Sequence, residues 1–151
     1  MKNKFFIPII AFILIFIMST YFIFNPSYTK SIEAKYFYEM GEYDEAYALA
    51  NEAFSMDVYN RMASTIMAQS KTSLKYAKYI KQAKKYLHEI KEMAKEETIN
   101  DASRAKIKIM SEIVVHSYVK LAPSVITDKE LVKEAAKYHK EFEKLLEKVT
   151  Q

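Results

Sequence analysis

A single glycine, Gly41, and three prolines serve a chain of 151 residues. Sheet proteins turn on residues that reach positive φ or fix a tight bend, and four such residues leave a multi-stranded fold without its corners. An all-helical chain is therefore expected. Half the residues are apolar and 28% are charged, with alanine, lysine, glutamate, leucine, methionine and isoleucine prominent, which is the stock of a helical protein.

From Phe5 to Phe24 the sequence runs FFIPIIAFILIFIMSTYFIF, 20 residues without a charge. At about 1.5 Å per residue such a helix covers roughly the 30 Å hydrocarbon layer of a bilayer. Phe5, Phe6, Ile7, Ile10, Phe12, Leu14, Phe16, Ile17, Tyr21 and Phe24 are its anchor residues, and Pro8 falls in the first turn, where its missing N–H is tolerated. A cleaved secretory signal has a shorter apolar core, about 7–15 residues, and small residues at its exit. This run is longer and leaves through the bulky YFIFNPSYTKS, so an uncleaved anchor is expected over residues 1–27. Without cysteine, lipid attachment through a thiol is excluded. Lys2 and Lys4 ahead of the run favour a cytoplasmic N-terminus and a periplasmic remainder at a bacterial inner membrane.

Beyond the turn-like Asn25-Pro26-Ser27 the pattern becomes amphipathic, and helices are expected near 29–40, 43–55, 58–71, 73–97, 101–121 and 128–149. Ala34, Phe37, Gly41, Tyr43, Ala46, Ala50 and Ala53 fit a helix, a left-handed stop at Gly41, and a second helix with a small-residue face. Small residues spaced by four and three let a neighbouring helix approach closely. Ile80, Ala83, Leu87 and Ile90 repeat the positions of Tyr43, Ala46, Ala50 and Ala53 after 37 residues. On α-helical grounds, Ala105, Ile109, Ile113, Ser117 and Leu121 form one further stripe, and Leu131, Ala135, Tyr138, Phe142, Leu145 and Val149 another, the latter opened by a Thr127–Glu130 capping box.

The order small residue, aromatic, glycine, aromatic, alanine at 34–53 resembles the tetratricopeptide repeat, a helix pair of 34 residues. SMDVYN at 55–60 is similar to the turn that follows, with Val58 where proline is usual, and Lys30 and Glu33 stand where the family has Trp and Leu. The resemblance implies a helical-hairpin array of about five to six helices: a first repeat at 28–60, a degenerate second to 97, and a C-terminal hairpin over 98–151.

The inventory for chemistry is short. One glycine makes no phosphate cradle, there is no nucleophile elbow or HExxH pair, and the absence of cysteine removes thiolate catalysis and Cys-based zinc. His88 with Glu92, Glu112 with His116, and His139 with Glu143 each place two ligands on one helix face, one short of the three that a catalytic zinc takes. The net charge is +4, but once Lys2 and Lys4 are set aside the 23 basic groups fall to 21 against 19 acidic ones. That is a solvated surface, not a nucleic-acid face. Seven lysines and three tyrosines fall between 75 and 97, yet Tyr79, Ala83, Tyr86, Leu87, Ile90 and Met93 follow the apolar side of a helix and leave lysine on the wet one.

No catalytic residue, cofactor, metal or small-molecule substrate is thus expected, and enzyme or metal-binding protein is the remotest alternative. Tyr36, Tyr38 and Tyr59 exceed what the repeat needs and form a candidate groove for a protein partner, tyrosine giving contact area at low entropic cost. The resemblance to anchored repeat proteins implies a scaffold, assembly factor or holdase chaperone for a membrane or envelope complex, such as a translocon, secretion system or flagellar motor. A permanent structural subunit, held by its transmembrane helix, is the alternative; Ala11, Ser19 and Thr20 are the small residues the anchor offers for it.

Overall fold

The computed structural model describes residues 6–95, 100–122 and 125–150. Among them there are six helices and no strand: α1 (Phe6–Phe24), α2 (Pro26–Glu39), α3 (Tyr43–Met56), α4 (Arg61–Met93), α5 (Asp101–Val119) and α6 (Lys129–Thr150). The chain divides into two compact units, residues 1–71 and 72–151. The described chain is therefore all-α, and its six helices fit a repeat-like array.

Asn25 does more than end the apolar run. Its side chain accepts from the Ser27 N–H at 3.0 Å and Pro26 takes the first helical position, so α2 starts at 26 and not near 29. At the other end, the Glu42 N–H reaches the Phe37 carbonyl at 2.9 Å and the Gly41 N–H reaches that of Tyr38 at 3.1 Å. These are the two bonds of a Schellman stop, and they place Gly41 at φ +82. A Cβ added there meets no atom within 4 Å, so the requirement is conformational alone. Gly41→Ala is expected to cost about 1 kcal/mol through the left-handed backbone, with Gly41→Asn recovering part of it. Urea unfolding of the detergent-solubilised chain measures both.

The chain that folds back presents Ala46, Ala50 and Ala53, all fully buried, to α2, whose own seam is Ser27, Ser31 and Ala34. Side chains this small bring the backbones close enough for the Ser27 hydroxyl to donate to the Ala53 carbonyl at 2.8 Å. After Asp57 caps α3, Asn60 begins α4 with its Oδ1 accepting from the Ala63 N–H at 3.1 Å. Its amide nitrogen has two hydrogens, and they go to Ser27 Oγ and Ser31 Oγ, each at 2.8 Å. Ser31 passes its own proton to the Ser27 carbonyl, also at 2.8 Å, so the fully buried Asn60 side chain is satisfied at every polar atom. Ala34, Ala50 and Ile66 make the apolar part of this core, with Tyr38, Leu49 and Met67 packed against it.

The second unit is built from the later part of α4 with α5 and α6 around Tyr76, Tyr79, Ile80, Ala83, Ile90, Ile107, Met110, Val114, Ala135 and Phe142. Leu87, Leu131, Tyr138, Leu145 and Val149 pack on this core half-buried, so the α6 stripe is as expected. Three readings change. The helices expected at 58–71 and 73–97 are one helix, because Thr72 and Ser73 supply no glycine or proline to stop it and Ser73 is buried within it. Ile80, Ala83, Leu87 and Ile90 lie within this one long helix, and Ile80, Ala83 and Ile90 are buried on it. On α5 the buried face is Ile107, Met110, Ser111 and Val114; Ala105 and Ile113 are exposed and Ile109 is 56% exposed. Finally, Asp128 rather than Thr127 caps α6, accepting from the Glu130 N–H at 2.8 Å.

Among the described residues no single helix is clearly long and apolar enough to cross a membrane; α1 and α2 pass that test only as a pair bent by 74°. The 19 residues of α1 extend about 28 Å, just under the roughly 30 Å hydrocarbon layer. Its partner cannot make up the difference, since α2 carries Lys30, Glu33, Lys35 and Glu39 and buries its seam on α3. The span expected over 5–24 thus reduces to a 19-residue apolar helix, Phe5 lying outside the described residues.

Candidate partner-binding groove

With Asn60 holding the start of α4 against Ser27 and Ser31, the next turns of α4 run beside the later turns of α2. Between them lies a cavity of about 540 Å³. Lys35, Tyr38 and Glu39 line it from α2, and Arg61, Met62, Thr65, Ile66 and Gln69 from α4, the i, i+3, i+4 positions of two facing helices. Ile66 is buried at its floor, while Met62 is exposed. The Tyr38 ring is fixed by an edge contact with Tyr43, centroids 5.4 Å apart at 66°. Charge at the rim is mixed: Lys35 lies 3.6 Å from Glu39, a one-turn surface pair worth little and readily exchanged, and Arg61 adds a further cation. Apolar floor, adaptable methionine and exchangeable charge suit a peptide segment.

The three tyrosines proposed for a groove are not brought together. Tyr38 lines the cavity; Tyr36 stands on the outer face of α2, and Tyr59, 89% exposed, sits at the tip of the α3–α4 turn, where its N–H is bonded to Asp57. The α4 half of the groove went unseen in the sequence because its residues mix polar and apolar types. Its signal is the four-residue spacing from Arg61 to Thr65 to Gln69.

In the second unit Tyr118 lies between Tyr79, at 5.8 Å, and His139, stacked at 4.1 Å and 9°. His139 Nε2 is 3.3 Å from Glu143 Oε1, and its buried Nδ1 has no partner. Neither has the buried Tyr79 hydroxyl, whose pKa is pushed far up, first by burial and then by the neighbouring Tyr118 and Glu143. A phenol held so firmly in its neutral form is no base. Among the described residues no three His, Asp or Glu side chains gather to hold a metal.

Tyr79→Phe removes an orphaned polar atom and leaves the packing, so it is expected to stabilise by about 1 kcal/mol. The sign with pH follows from the raised folded-state value. The unfolded tyrosine ionises near its ordinary value of about 10 and the folded one above it, so this contribution is intact below about 10 and lost as pH rises further. Phenylalanine at 79 should flatten that alkaline loss, as read from denaturation midpoints at rising pH.

Comparison with protein families, with characterised proteins and with solved structures finds no match to this chain.

Proposed function

We propose that the protein is a membrane-anchored interaction module: α1 lies in a bilayer and the α2–α4 groove takes a segment of another protein beside it. The observation that carries this is α1 itself. Every large apolar side chain described along it is exposed by half or more, whereas soluble chains rarely leave a contiguous apolar patch beyond a few hundred Å². Held at the surface, the groove meets membrane complexes at an effective concentration on the order of millimolar, so a modest affinity suffices. The role is that of a scaffold, assembly factor or holdase at a bacterial inner membrane, N-terminus inside and helical domain in the periplasm.

A photoreactive residue at Met62, in the groove, tests this in native membranes against one at exposed Ala48 on α3. A defined protein adduct from position 62 and none from 48 is expected. Lipid adducts alone, or equal capture at both positions, would overturn the groove. An adduct partner that stays in fixed stoichiometry through detergent purification would make the protein a permanent subunit instead.

A further inference from the structure

The face of α2 turned away from its core carries a narrow apolar stripe, bordered by Glu33 and Glu39. Ser27, Ser31 and Ala34 form the buried seam, and at 3.6 residues per turn Tyr36 stands opposite it, with Ile32 and Met40 within about 40° on either side. These three are 61%, 60% and 61% exposed for Ile32, Tyr36 and Met40, where a water-facing helix carries charge. The bend between α1 and α2 is 74°, which leaves α2 16° off the perpendicular to α1 (90° − 74°). Along α2, Met40 lies about 21 Å from Pro26, so for an anchor along the membrane normal it rises only about 6 Å. The headgroup layer on each side of the hydrocarbon is about 5–8 Å thick, so along its whole length the lower face of the helix stays at headgroup level.

The stripe also starts on the correct side. Asn25, Thr29, Ile32, Tyr36 and Met40 follow one another at helical spacing, and Asn25 Nδ2 donates to the Tyr21 hydroxyl of α1 at 3.3 Å. The face therefore begins where α1 leaves. Resting on the reading of α1 as the anchor, we infer that α2 is an interfacial helix whose Ile32–Tyr36–Met40 stripe lies on the lipid surface. Tyrosine at its centre fits the headgroup level, where one end of the ring is apolar and the other wet. The contact itself is carried by these apolar side chains; Glu33 and Glu39 flank the stripe about 60° to either side of Tyr36, and Lys30 and Lys35 lie further round, so no cationic group draws the helix to anionic lipid.

The chain has no cysteine, so single labels can be placed at will. The full chain, reconstituted in phosphatidylcholine vesicles, would carry a nitroxide in turn at Leu14→Cys, Ile32→Cys, Tyr36→Cys, Met40→Cys and Ala48→Cys. Collision with oxygen reports lipid, and collision with a water-soluble nickel chelate reports solvent. The expected order of the oxygen-to-nickel ratio is Leu14 highest, the three α2 positions between, and Ala48 lowest, with no gain at the α2 positions when anionic lipid is added. A deep Leu14 with α2 as wet as Ala48 overturns the interfacial helix and spares the anchor. Poor access of both agents to the α2 labels means that protein covers the stripe, and overturns it too. A wet Leu14 removes the anchor and this inference together.

Discussion

Asn60→Ala is expected to destabilise the first helical unit by about 3 kcal/mol, near the upper end for a single polar substitution. About 1 kcal/mol is the lost N-cap to the Ala63 N–H, and about 1 each comes from the two buried bonds to Ser27 and Ser31. Asn60→Ser separates the parts. A serine oxygen can still cap α4 but cannot supply both donors, so it should recover about 1 kcal/mol and no more. Hydrogen exchange of α2 and α3 amides in detergent reads the loss locally; a cost under about 0.5 kcal/mol, typical of an uninvolved surface residue, would remove Asn60 from its central place.

A pair of arginines in α1, Ile10→Arg with Leu14→Arg, is expected to release the protein from the membrane where a single one does not. Thirteen Ile, Leu and Phe residues in α1 contribute about −0.3 to −0.6 kcal/mol each to insertion, on the order of −4 to −8 in all. One arginine near the centre adds about 2.5–3.5 kcal/mol and leaves the balance favourable; two add about 5–7, also remove two apolar side chains, and cancel most or all of it. Alkaline extraction of membranes gives the answer directly. Full retention of the double variant would mean that the association does not run through α1.

What could be read from the sequence was whatever a one-dimensional pattern determines. The helical class followed from missing turn residues, the fold-back at Gly41 from the left-handed conformation that glycine accepts most readily, and the Ala46–Ala50–Ala53 seam from spacing. The α6 stripe was legible because only one of its faces is apolar. On α5, by contrast, 105–109–113 and 107–110–114 both have helical spacing, and only contact with α4 and α6 selects the second. Periodicity cannot rank two such faces. Ser27, Ser31 and Asn60 were passed over as exit and turn residues, since their roles exist only after three helices meet. The groove was half legible for the same reason: Tyr38 declared itself, but its neighbours across the cavity belong to another helix.

The asparagine and its two serines also decide where along its length α2 comes to rest. Two seams of alanine and serine are nearly smooth, and a shift by one turn would bury almost the same area. After such a slip the amide would face Ser31 and Ala34, and one hydrogen would find a methyl group in place of an oxygen. The amide works as a detent: beyond the strength of its bonds, it allows the helices a single setting.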